Sequence, residues 1–123
     1  MDYNEQWYGL YRTLFIIKFI PYMYLIQILL PLYDNDGKLF SSNYYDHIKQ
    51  ELTEVFGGIT MHTRAPAKGL WKDEDKTIRD EIVIFEITTA EINENYWKAY
   101  KLNLEKTFLQ EEIVIRAINF EML

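Results

Sequence analysis

Four polar side chains interrupt otherwise apolar runs: Gln27 in YLIQILL, His62 in ITMHTR, Glu86 in EIVIFEIT and Arg116 in EEIVIRAINF. Their types suit proton transfer and anion recognition. A histidine titrates near neutrality and can act as a general base. An Arg116–Glu86 pair could hold and polarise an acidic or enol-like ligand. In an enzyme, His62 or Glu86 would move a proton while Arg116 stabilises developing negative charge. Each has a plainer alternative. Partly buried charges are usually paired, so an ion pair at a subunit interface is slightly the better account of Arg116 and Glu86. His62 is better explained as a hydrogen-bonded strand histidine.

FGGITMHTRAPAKGLW, residues 56–71, is the most unusual stretch. Its glycines suit helix termination and tight packing. They form no phosphate loop, for neither Gly-Lys-Ser/Thr nor GxGxxG is present. Arg64, Lys68, Trp71 and Lys72 could form a lid over an anionic ligand, with Thr60 and Gln27 as further ligand contacts. An ordered hairpin loop anchored on Trp71 is the favoured alternative. DNDGKLFSSNYYD imitates a calcium loop, but Tyr45 stands where the bidentate Glu belongs. His47 and His62 fall on a helix and a strand, on opposite sides of the expected sheet, so no metal site is expected. No motif calls for a cofactor.

Composition narrows the class. The chain has 123 residues, enough for one core, and 49% are hydrophobic, too many for a disordered chain. Nineteen acidic against 13 basic residues give a net charge of −6. Without a basic cluster the chain is a poor nucleic-acid binder, since phosphate contacts supply most of that affinity. With no cysteine, disulfides, thiolate catalysis and zinc–sulfur sites are excluded, and a cytoplasmic location fits.

The elements that must position these residues begin with an ambiguity. LFIIKFIPYMYLIQILLPL, residues 14–32, is long enough for a membrane span. Lys18, Pro21, Gln27 and Pro31 argue against one. The stretch divides at Pro21. Before it, Trp7, Leu10, Tyr11, Leu14, Phe15 and Lys18 follow helical spacing. After it comes a strand, residues 24–32, closed by Asp34-Asn35-Asp36-Gly37. Residues 1–22 therefore read as an N-terminal helical extension and residues 23–123 as the domain.

Ser41 or Ser42 caps a helix carrying Tyr44, Tyr45, Ile48, Leu52, Val55 and Phe56, and Gly57-Gly58 stops it. Strands are predicted over 59–65 and 81–88. A second helix starts at Asn93 or Asn95, and the last strand spans 111–120. The order βαββαβ predicts a ferredoxin-like α+β fold, a four-stranded antiparallel sheet with two helices on one face. A membrane span would remove its first strand.

Alternation sorts the strands into two faces. Ile26, Ile28 and Leu30, Ile59, Met61 and Thr63, Val83, Phe85 and Ile87, and Ile113, Ile115 and Ala117 belong under the helices. Gln27, His62, Glu86 and Arg116 share the other face, and the usual strand order 4-1-3-2 makes them neighbours. That face also carries Leu25, Leu29, Ile82, Ile84, Val114 and Ile118, too apolar a surface to leave in water. A partner subunit, residues 1–22 or a ligand must cover it; a homodimer that pairs two such faces into an α/β barrel would bury it around a small-molecule cavity.

PLYDNDGKLF, FGGITMHTRAPAKGLW, DEIVIFEI and FLQEEIVIRA together resemble a group of small, uncharacterised bacterial ferredoxin-like proteins of the dimeric α/β-barrel type. The similarity covers about residues 24–123. It implies fold and a bacterial origin and carries over no catalytic residue. The reading is a cytoplasmic homodimer binding a small organic or anionic ligand. Its rivals are a protein-interaction module whose sheet face is dimer glue, and a domain tethered to a membrane through residues 14–32.

Overall fold

The computed structural model describes residues 22–64 and 81–123. The proposed N-terminal helix, Lys68, Trp71 and Lys72 lie outside the described residues. In chain order the elements are β1 (Tyr22–Pro31), α1 (Ser42–Phe56), β2 (Thr60–Arg64), β3 (Ile82–Thr89), α2 (Glu94–Thr107) and β4 (Val114–Glu121). They form a ferredoxin-like α+β fold. The sheet order is β2-β3-β1-β4 with every pairing antiparallel. β1 starts at Tyr22, one residue before the expected domain division.

β1 settles the ambiguous apolar stretch. Residues 22–31 pair with β4 on one side and β3 on the other, so residues 14–32 are not one continuous helix. No helix among the described residues is long and apolar enough to cross a membrane.

Local chemistry explains the helix ends. Ser41 caps α1, its hydroxyl accepting the Asn43 N–H at 3.3 Å. Gly57 closes it with φ 83°, the left-handed conformation that costs glycine little. Asn93 caps α2 by accepting the Tyr96 N–H at 3.1 Å. The Asp34 carboxylate accepts the Asp36 and Lys38 N–H groups at 2.9 and 2.8 Å, so the calcium-like stretch is a turn.

β4 begins three residues later than the expected 111. The intervening residues complete the end of α2. The Gln110 N–H donates to the Glu105 carbonyl, and the Glu105 carboxylate accepts the Ile113 N–H at 3.0 Å. Ile113 is buried, but as part of this turn.

Both helices pack on one face. Ile26, Ile28, Leu30, Val83, Phe85 and Ile87 meet Tyr45, Ile48 and Leu52 of α1 and Trp97, Tyr100 and Leu104 of α2. Phe56 stacks on Trp97 with ring centroids 5.5 Å apart, joining the two helices. Ile28, Leu30, Phe85 and Phe108 are fully buried, and each such side chain contributes about 1.5–3 kcal/mol on leaving water. Three side chains expected under the helices are exposed, Met61 and Thr63 on β2 and Ala117 on β4. All lie on outer strands of the described sheet.

Candidate functional site

The pairing register turns the opposite face into rows. Arg116, Gln27, Glu86 and Thr60 stand opposite one another across β4, β1, β3 and β2. On one side runs an apolar row of Val114, Leu29 and Ile84, ending in His62. On the other side lie Ile118, Leu25 and Thr88. A polar stripe thus crosses the sheet between apolar rows. Arg64 pairs with Ile82, a row further on.

The stripe is a connected chain. Arg116 Nε donates to Gln27 Oε1 at 2.7 Å, and Gln27 Nε2 donates to Glu86 Oε2 at 2.7 Å. His62 Nε2 lies 2.6 Å from Glu86 Oε1, reaching across from the next row. Register placed Thr60, not His62, opposite Glu86, yet all four singled-out residues join. Arg116 and Glu86 communicate through Gln27.

The chain fixes the orientation of each member. A guanidinium can only donate and a carboxylate can only accept, so Gln27 must turn its oxygen to Arg116 and its NH₂ to Glu86. His62 must donate from Nε2 to the ionised carboxylate. Its neutral form then carries the proton on Nε2 and a lone pair on Nδ1. Glu86 is thereby a fixed anchor, its side chain only 21% exposed, while the His62 side chain is 45% exposed.

Both ends face outward. Arg116 is exposed and, having spent Nε–H on Gln27, offers four terminal N–H donors with no partner among the described residues. This planar fork matches a carboxylate or phosphate. At the other end His62 offers Nδ1. The two ends sit on outer strands three spacings apart, about 14 Å between backbones. The site can seat an anion at Arg116 and accept a proton at His62.

No group of three or more metal-ligating side chains is clustered among the described residues. His47 is on α1, 2.7 Å from Glu51, away from His62. The bridging role of Gln27 had one sequence signal, its position mid-strand among aliphatic residues.

The solved structure of a phage SAM lyase in complex with S-methyl-5'-thioadenosine has a similar fold. The TM-score is 0.52 at 10% identity, covering 81% of this chain and 90% of that one. At that identity the likeness shows the fold. No family model matches the chain, and no curated protein matches it. The fold half of the bacterial resemblance stands on the structure.

Proposed function

We propose that the protein binds a small organic anion on its open sheet face, with Arg116 as the charge anchor. The observation that carries this reading is the hydrogen-bonded chain from Arg116 through Gln27 to Glu86 and His62. It holds the guanidinium by one edge and leaves its fork free. Flanking Leu25, Leu29, Val114 and Ile118 would contact the apolar body of the ligand, in the usual composition of small-molecule sites. The small molecule bound to the lyase of similar fold supports a ligand-binding reading of this architecture.

His62, oriented by Glu86, would take a proton from a ligand anchored at Arg116, giving a cofactor-independent acid/base enzyme. A second copy of the chain is the proposed cover, because Val114 and Ile118 are 44% and 43% exposed beside the stripe. The cytoplasm is the proposed compartment.

Succinate is a suitable probe. Titrated into ¹⁵N-labelled full-length protein, it should shift the Arg116 Nε–H and Gln27 NH₂ signals saturably. Arg116→Met should abolish the response. Absence of shifts, or their persistence in Arg116→Met, would favour the alternative in which this face is only a protein interface.

A further inference from the structure

The helix-covered side of the sheet carries a cavity of about 210 Å³. It opens between α2 and the outer strand β4, and Ile26, Trp97, Ile115 and Ala117 line it. The cause of the gap is local. Ala117 occupies a helix-facing position of β4, where a larger aliphatic side chain would close the space against Trp97 and Ile26. Strand alternation sends the side chains of Ala117 and Arg116 to opposite faces, yet Arg116 also borders the cavity, at the edge strand that carries the open-face site on its other side.

We infer that this notch binds a small aryl or alkyl carboxylate, apolar end inward. Size and lining favour an apolar body. A closed apolar cavity of about 150 Å³ is enough for benzene. Charge at the mouth sets the other end of the ligand. Lys98 and Lys101 lie one turn apart on α2 and both line the opening. Lys101 is held 3.0 Å from Glu112, and that hydrogen bond raises the pKa of its ammonium. Lys98 is exposed and has no partner among the described residues. Glu94, one turn before Lys98, and Arg116 on β4 also line the opening, leaving three cations against one anion. A carboxylate seated at Lys98 satisfies the unpaired cation while its hydrocarbon covers Trp97.

The test is a titration of ¹⁵N-labelled full-length protein with phenylacetate. A ligand of this size in an open notch is expected to bind with Kd of about 1 mM. Saturable shifts should appear at the Trp97 indole N–H and the Ala117 amide, with the Gln27 side-chain NH₂ unmoved. Lys98→Gln should weaken phenylacetate about fivefold and leave neutral phenylacetamide unchanged. Ala117→Leu should fill the notch and abolish both. If Ala117→Leu does not fold, the exposed Lys98→Gln change decides alone. No saturable shift at Trp97 and Ala117, or equal loss of the neutral and charged probes in Lys98→Gln, overturns the inference. Failure here is distinguishable from failure of the open-face site, since one is read at Trp97 and Ala117 and the other at the Gln27 side chain.

Discussion

Replacing Gln27 by Met removes the centre of the polar chain while keeping side-chain length and the strand. The structure sets the expected cost. Glu86 loses the 2.7 Å donor on Oε2, and its side chain is only 21% exposed, so water replaces that donor poorly. A hydrogen bond to a charged, largely buried group contributes about 1.5–3 kcal/mol. Arg116 also loses its 2.7 Å acceptor, but it is exposed and water substitutes readily, leaving ~0.5 kcal/mol or less there. The sum is about 2 kcal/mol, roughly 10 °C in Tm for a domain of this size. Urea unfolding of the wild type, Gln27→Met, Glu86→Leu and the double variant forms a double-mutant cycle. Once Glu86 is Leu, Gln27→Met should cost about 1–2 kcal/mol less than in the wild type. A Gln27→Met protein as stable as the wild type, or strictly additive changes, would refute the claim that Gln27 holds Glu86 in a shared network.

Burial pushes the Tyr45 hydroxyl up to about 12 from its usual 10.0, and the hydroxyl donates to the Pro31 carbonyl at 2.6 Å. The folded state therefore favours the neutral phenol. Its contribution is complete below pH 10 and disappears as pH rises from 10 to about 12, at up to ~1.4 kcal/mol per pH unit. Equilibrium unfolding against pH should show that fall, shallower in Tyr45→Phe, which should also be about 1 kcal/mol less stable near neutrality. Tyr100 has a buried hydroxyl with no hydrogen-bond partner among the described residues, so Tyr100→Phe should be neutral or stabilising by up to ~1 kcal/mol; a loss comparable to Tyr45→Phe would contradict this. Leu109 is 74% exposed at φ 53°, and Leu109→Gly should stabilise by about 1 kcal/mol, visible as a raised Tm; a lowered Tm would mean that the leucine makes a contact worth more than the strain.

Much of this architecture was legible because strand and helix periods are local. Alternation placed Ile26, Ile28, Val83 and Phe85 on one face and Gln27, Glu86 and Arg116 on the other, where the structure has them. Asn93 and Gly57 announced helix ends through their own hydrogen-bonding and backbone preferences. Register was not legible, because it depends on turns and inter-strand pairing rather than on any one strand. Hence Thr60 opposite Glu86, with His62 reaching in from the neighbouring row, emerged only in three dimensions. The start of β4 was misread because Glu111, Glu112 and Ile113 continue the strand-like pattern, while Glu105, eight residues before Ile113, captures its N–H. The notch at Ala117 was equally hidden. A small residue in a strand does not reveal what lies across from it.

The central claim is that the free fork of Arg116 receives an organic anion, and native mass spectrometry of the full chain purified from cells tests it most directly. The wild-type protein should retain a small anionic molecule that Arg116→Met, folded to the same extent, does not. Equal retention by both proteins would place the ligand elsewhere, and a wild-type chain free of ligand would contradict the account.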